Sequence, residues 1–284
     1  MRLMVALDLQ TEGHHWLLEQ ASRVASMCHG TLDLIYIQTD RDLESSKEDS
    51  FVQRLQEMSL LIDPKCRGEV QVVRGPLIET LTALSRTYEG LVVGPREPGA
   101  LERLLVGTIA TRLMRAAECP VIIPRHTGEK ERKRPQLLVG VDLTTASYQW
   151  LIQQGGHWAK ALGGTLDVVY MVASPAVVGI RNSYVREAAL KEWEVSQVPM
   201  REKIEAAMDG ISEENRGDAR VIAGDPENDI VRLSSHYDFV VVGNREHTGL
   251  KGYLLGTVAS HVVRSAKCDV ITLPAEAYLR QLST

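Results

Sequence analysis

The sequence predicts an α/β protein made twice over, as two tandem parallel sheets, each covered by helices on both faces. Three observations lead there. The chain has 284 residues, and at roughly 100–200 residues per domain that length suggests two domains. Apolar strand-like runs alternate with segments of helical periodicity, the pattern of a parallel sheet with helical crossovers. The chain also repeats itself.

The repeat is in two registers. Leu3-Met4-Val5-Ala6-Leu7-Asp8-Leu9 matches Leu137-Leu138-Val139-Gly140-Val141-Asp142-Leu143 at an offset of 134 positions, as Asp8 and Asp142 are spaced. The same offset joins Trp16 to Trp150, Gly30-Thr31-Leu32-Asp33 to Gly164-Thr165-Leu166-Asp167, and Tyr36 to Tyr170. Further on the offset is 149, as between Gly94 and Gly243; it joins Gly75 to Gly224, Gly107-Thr108 to Gly256-Thr257, and Cys119 to Cys268. Copy two thus carries 15 more residues (149 less 134) between Tyr170 and Gly224. Blocks this long in one register indicate a duplicated domain.

In copy one, Leu3–Leu7 is an apolar run, a strand buried on both faces. Trp16, Leu17, Ala21, Val24 and Ala25 recur at helical spacing. Leu32–Ile37 is the second strand and Phe51–Ile62 a helix. Val70–Val73 is a short strand, and Pro76 opens the helix Leu77–Ser85 from a favourable first-turn position. Leu91–Val93 is a strand ending at Gly94, Thr108–Ala117 a helix, and Val121–Ile123 the last strand. Copy two repeats this order. Residues 1–125 are the first expected domain, 126–135 a polar, charged linker ending at Pro135, and 136–284 the second. The stretch Ser174–Ser183 in copy two is expected to be a loop.

Composition narrows the function. The chain is 44% hydrophobic and 24% charged, the balance of a globular protein. No apolar run reaches the roughly 18–20 residues needed to span a bilayer, and Met1 leads straight into a strand that contains Asp8, unlike a secretory signal. A cytoplasmic protein is expected, with no membrane partner. The net charge is −5, which argues against nucleic acid as a partner. The four cysteines show no CxxC spacing and are expected as reduced, buried thiols. Aromatics are only 5% of the chain, so the core must be aliphatic.

The informative segment follows the fourth strand. It runs from Gly94 to Gly107-Thr108 in copy one and from Gly243 to Gly256-Thr257 in copy two. A buried strand ends in glycine, a loop follows, and Gly-Thr opens a helix. Such a segment places free backbone N–H groups and a helix N-terminus at the carboxyl edge of a parallel sheet, where phosphates bind. Asp8 and Asp142 end the first strands at the same edge.

These segments resemble the glycine-rich signature of the universal stress proteins: Gly, two residues, Gly, nine residues, Gly, then Ser or Thr. The resemblance covers Leu3 to about Ile123 and Leu137 to about Leu273. It implies a doubly wound, Rossmann-like sheet with strand order 3-2-1-4-5 in each copy, and pairing of the copies through their last strands. It also implies ATP as ligand, accompanied by magnesium, with no other metal. Asp8 and Asp142 would meet the ribose or adenine, and Gly94 and Gly243 would allow close backbone approach. Gly107, Thr108, Gly256 and Thr257 would hold phosphates, with Arg96 and Arg245 as basic neighbours. The middle glycine of the signature is replaced by Glu97 in copy one and Glu246 in copy two. A glutamate there adds bulk and a negative charge beside the phosphates.

Other groupings are weaker. Ser235, His236 and Asp238 are triad residue types, but sequence neighbours at a strand start do not make a triad. His14-His15 has no partner at metal-ligand spacing and reads as a polar helix N-terminus. Asp33 and Asp167 sit within apolar strands and receive no role. The expectation is a non-enzymatic stress-response protein with no catalytic residues, which binds adenine nucleotide or an unidentified protein partner. A nucleotide-free interaction scaffold and a slow ATPase are the alternatives. The duplication supplies an intrachain pair, so the chain is expected as a monomer or, in preference, as a homodimer.

Overall fold

Leu3, Met4 and Val5 are consecutive apolar residues and all are fully buried, so the first strand, β1 (Arg2–Leu7), is covered on both faces. In the computed structural model, residues 1–9, 14–40, 48–94, 107–125, 132–173, 182–243 and 256–274 are described. After β1 come α1 (His14–Met27), β2 (Thr31–Gln38), α2 (Glu48–Ser59), β3 (Arg67–Arg74), α3 (Leu77–Ser85), β4 (Gly90–Val92), α4 (Thr108–Ala116) and β5 (Val121–Ile123). Copy two supplies β6 (Gln136–Val141), α5 (Tyr148–Ala161), β7 (Thr165–Val172), α6 (Ser183–Met208), β8 (Arg216–Ala223), α7 (Pro226–Ser234), β9 (Phe239–Gly243), α8 (Thr257–Ser265) and β10 (Asp269–Leu273).

The ten strands form one sheet in the order β3-β2-β1-β4-β5-β10-β9-β6-β7-β8. Each half has the expected order 3-2-1-4-5, and the two halves are joined edge to edge. Pairing is parallel throughout except between β5 and β10, which are antiparallel. There Ile122 faces Ile271, with Val121 opposite Thr272 and Ile123 opposite Val270. Ile122 and Ile271 are repeat mates at the offset of 149, so the seam has a local two-fold axis through that pair. Short apolar edges that would otherwise invite association are buried against each other.

Two apolar layers follow. On one face pack Leu17, Leu18 and Val24 of α1, Phe51 and Leu55 of α2, Trp158 of α5, and Ile204 and Met208 of α6. On the other pack Ile78 and Leu81 of α3, Leu113 of α4, Ile230 of α7, and Val262 of α8. Most of these residues are aliphatic; Phe51 and Trp158 are the aromatic exceptions, both buried.

Several expected boundaries shift. β3 is eight residues long, not the four of Val70–Val73; it is a half-buried outer strand, so the apolar run marks only its middle. Pro76 lies at the N-cap of α3 in extended conformation (φ −64°, ψ 128°), one residue before the helix. The expected loop Ser174–Ser183 is corrected at its end: Asn182 caps α6 by accepting hydrogen bonds from the backbone N–H groups of Tyr184 and Val185, and Ser183 is already helical. Residues 174–181 of that loop lie outside the described residues. The extra length of copy two enters α6, which has 26 residues against 12 in α2. Ala188-Ala189-Leu190-Lys191-Glu192 are strong helix formers, which carry the helix through this extra length.

The two unassigned aspartates have a structural role. Asp33 is 1% exposed. Its Oδ1 accepts the Glu69 backbone N–H (2.9 Å), and its Oδ2 accepts Tyr88 Oη (2.8 Å) and Arg2 Nε (2.9 Å). Asp167 does the same with the Asp218 N–H (2.9 Å), Tyr237 Oη (2.6 Å) and Arg220 Nη2 (2.6 Å). The arginine comes from β1 in copy one and from β8 in copy two; the exchanged positions hold Gln71 and Gln136. Burial, reinforced by the hydrogen bond to the aspartate, raises both tyrosine pKa values. Beside each aspartate the ladder shifts register, and a glycine, Gly68 or Gly217, leaves room for the carboxylate.

The α1–β2 junction yields a stability prediction. His29 has φ 48°, while its repeat mate Gly163 has φ 67°. Both follow the last helical turn and make the same closing bonds, His29 N–H to Ser26 O and Gly163 N–H to Lys160 O. A left-handed residue with a Cβ is strained, and glycine is not. His29→Gly should therefore stabilise the protein by about 0.5–1 kcal/mol, read as a higher midpoint in urea unfolding.

All four cysteines are buried and none is in a disulfide. Burial pushes the Cys28 and Cys119 thiols up to about 12. The thiolate is the reactive form, so a raised pKa keeps these groups neutral throughout the physiological range. Ellman's reagent at pH 8 should label no cysteine of the folded protein and all of them in denaturant.

Candidate functional site

In copy one, the chain runs outward from β1 to β2 and β3, then returns to the other side of β1 as β4 and β5. The strand order therefore reverses between β1 and β4, and ligands of open parallel sheets bind at the carboxyl edge of such a reversal. Leu3 pairs with Gly90 and Val5 with Val92, so Asp8 and Gly94 leave adjacent strands at one edge. Copy two reverses between β6 and β9, where Leu137 pairs with Phe239 and Val139 with Val241. Asp142 follows β6 and Gly243 ends β9.

The next strand-to-helix connections end at this edge. Gly107 caps α4 (φ −62°, ψ 160°) and Gly256 caps α8 (φ −57°, ψ 162°), neither with a side-chain cap hydrogen bond. Their carbonyls join the helices, accepting from Thr111 N (3.0 Å) and Ser260 N (2.8 Å). A glycine cap has no side-chain oxygen to occupy the first N–H groups, and such donors together with the positive helix end suit an anion. Thr108 and Thr257 are exposed beside them. The basic residues Arg115 and Arg264 lie in the last turns instead, where they suit the negative helix end.

The two crevices differ. Asp142 is half-buried, and its Oδ1 accepts both the N–H (3.0 Å) and the hydroxyl (2.6 Å) of Thr144. That turn fixes the carboxylate. Asp8 is exposed, and Gln10, the repeat mate of Thr144, lies outside the described residues. At the ends of the outer strands, copy one pairs Gln38 Oε1 with Arg74 Nε (3.1 Å). Copy two has Val172 and Ala223 at those positions. Copy two therefore has a less polar wall at the ends of its outer strands.

Gly94 has a packing reason for being glycine: a Cβ there would lie 2.9 Å from Leu17 Cδ2, so glycine lets α1 sit low over the end of the fourth strand. At Gly243 a Cβ would meet Leu151, the repeat mate of Leu17, at an ordinary contact distance of 3.4 Å. The sequence pattern of strand, glycine and loop points to the position but not to this neighbour.

Arg96 and Arg245, with Glu97 and Glu246 beside them, lie outside the described residues. Ser235, His236 and Asp238 do not form a triad. Ser235 donates to Arg232 O (2.8 Å) at the end of α7, and Asp238 Oδ2 accepts the Gln136 N–H (2.8 Å) and lies 3.5 Å from Arg132 Nη1. His14 and His15 open α1, and no cluster of metal-ligating side chains occurs among the described residues. Among the same residues no helix is long and apolar enough to cross a membrane.

The Universal stress protein family matches this chain twice, over residues 1–125 and 134–274. Universal stress protein Rv2623 of Mycobacterium tuberculosis is 28% identical over 207 residues, which take in 71% of this chain and 66% of that protein. The match thus spans slightly less than two thirds of that relative's length. A universal stress protein of Mycolicibacterium smegmatis is 23% identical over 280 residues, 95% of this chain and 80% of its own. The crystal structure of a universal stress protein from Archaeoglobus fulgidus is similar with a TM-score of 0.67 at 16% identity, covering 96% of this chain and 98% of that one. A putative universal stress protein from Pseudomonas aeruginosa gives 0.59 at 20% identity, covering 99% and 96%. The likeness to these two structures is one of fold.

Proposed function

The chain belongs to the universal stress protein family, and from that premise we propose that it is a non-enzymatic stress-response protein that binds adenine nucleotide, chiefly in copy two. The observation that carries this reading is the glycine-capped helix end that each copy places at the carboxyl edge of its own half of the sheet, with Asp8 at that edge in copy one and Asp142 in copy two. These residues fit a nucleotide. Gly256 and Thr257 would hold phosphate oxygens by N–H and hydroxyl donors, with Gly107 and Thr108 as their counterparts. Asp142, already fixed by Thr144, would take ribose or base hydrogen bonds beside Val172 and Ala223. Arg96 and Arg245 would add positive charge, and magnesium would accompany the triphosphate.

Phosphoryl transfer needs charge stabilisation and a positioned nucleophile. Among the described residues, each crevice offers one aspartate, which favours retention of the nucleotide over its turnover. Glu97 and Glu246 favour a second reading, a nucleotide-free scaffold that acts through a protein partner. The two readings separate when purified protein is denatured and its supernatant chromatographed. Released adenine nucleotide, lost in Asp142→Ala, is the expected result. Nucleotide-free protein that also fails to take up added ATP would favour the scaffold.

A further inference from the structure

The seam between β5 and β10 poses a problem of specificity. Its register is centred on the repeat mates Ile122 and Ile271, so the backbone would equally allow two copies of β5, or two of β10, from different chains to pair. Nothing in the strand hydrogen bonds selects the copy-one-to-copy-two arrangement. The side chains around the axis do.

Arg23 of α1 forms an ion pair with Asp269 at the start of β10, and its guanidinium lies 5.7 Å from the Phe239 ring centroid. Asp269 is 1% exposed. Its second oxygen accepts the backbone N–H of Arg125 (2.8 Å), and the buried Arg125 side chain donates to Val263 O. The symmetry-related positions carry none of this: the mate of Arg23 is His157, and the mate of Asp269 is Pro120. Size is divided the same way. Trp158 of α5 is essentially buried with its ring over Gly90, where a Cβ would lie 3.4 Å from Cη2. The mate of Trp158 is Val24, and the mate of Gly90 is Phe239. One side of the axis thus uses a large ring on a glycine, and the other has valine and phenylalanine at the matching positions.

We infer that this seam is keyed, so that copy one is a partner for copy two and for neither another copy one nor another copy two. Two copies of copy one would set Arg23 against Pro120, which offers no carboxylate, and Val24 above Gly90, which leaves a void in place of Trp158. Two copies of copy two would set Trp158 against Phe239, two large rings at a site that holds one. They would also bury each Asp269 away from Arg23 and Arg125. A buried charge without its partner and an overfilled core are both strongly disfavoured. The duplication has therefore diverged toward an exclusive internal pair, and any homodimer must use a surface other than this seam.

The test cuts the folded chain at a protease site placed within residues 126–131. Cut protein and isotopically labelled cut protein are then mixed and read by native mass spectrometry. The expected species are pairs of one copy one with one copy two, near the 31.5 kDa of the intact chain, labelled and unlabelled halves scrambling only within that pairing. Homotypic pairs in statistical proportion, or free halves, would overturn the inference. The intact chain gives a second readout that needs no exchange. Arg23→Ala, Asp269→Asn and the double variant should show coupling of about tenfold in the unfolding equilibrium constant. Additive effects would mean that the ion pair does not discriminate.

Discussion

Gly68→Ala is expected to destabilise the protein by about 3 kcal/mol or more, one of the largest effects of any single methyl group in this chain. The added Cβ would overlap Asp33 Oδ1 and crowd the backbone of Leu32. Asp33 cannot move aside without leaving the buried Tyr88 hydroxyl and the Glu69 N–H without their acceptor, while the half-exposed Arg2 keeps its pairing with Glu69. A buried donor stripped of its partner costs about 1–3 kcal/mol, and here two lose theirs. Asp33→Ala should be similarly severe, and the double variant much less than additive, because both lesions destroy one cluster. Gly217→Ala should act in the same way through Asp167 in copy two, where a Cβ meets the same kind of oxygen. Urea unfolding of the four variants measures this. Additive losses from Gly68→Ala and Asp33→Ala would mean that the glycine serves the strand rather than the aspartate.

The second large effect is on ligand affinity. Glu246→Gly should strengthen ATP binding tenfold or more, equivalent to about 1.4 kcal/mol. Two unit charges about 4 Å apart repel by roughly 1 kcal/mol in water and roughly 4 at an effective dielectric of 20, and a triphosphate presents several. Glycine also frees the backbone of the loop. Glu246→Gln distinguishes the causes. If charge dominates, glutamine recovers most of the gain; if crowding or backbone conformation dominates, only glycine does. Equal affinity in wild type and Glu246→Gly would mean that the carboxylate points away from the phosphates.

The fold is legible in the sequence because every buried strand announces itself as an apolar run, and because the repeat states the order twice. Leu3–Leu7 aligns with Leu137–Val141 residue by residue, and the five strands of each copy follow. The seam is expected from resemblance, but its side-chain code is not. Arg23 and Asp269 are 246 positions apart, and neither stands out locally. Asp33 and Asp167 are visible as charged residues inside apolar strands, yet their tyrosine and arginine partners come from other strands and turns. Only a repeat-by-repeat comparison of Arg2 with Gln136 and Gln71 with Arg220 hints that one cation has changed strands. The insertion resists placement because Pro175, Gly179 and Asn182 read as loop punctuation, while Asn182 is in fact the cap of the helix behind it.

For the site, the sequence places Asp8, Gly94, Asp142 and Gly243 at strand carboxyl ends, which is where they lie in the fold. It does not show that Gly94 makes room for Leu17, or that Asp142 is held by Thr144. The sequence already favours copy two, whose loop has Asn244 and His247 where copy one has Pro95 and Pro98; the structure adds the contrast between Gln38–Arg74 and Val172–Ala223 at the strand ends.

Isothermal titration of magnesium-ATP into the wild-type chain and into Asp142→Ala tests nucleotide binding most directly. Saturable heat is expected in wild type, with affinity reduced about tenfold or more in Asp142→Ala, as for loss of a hydrogen bond to a charged group. A flat titration for wild type, persisting in Glu246→Gly, would contradict nucleotide binding by this protein.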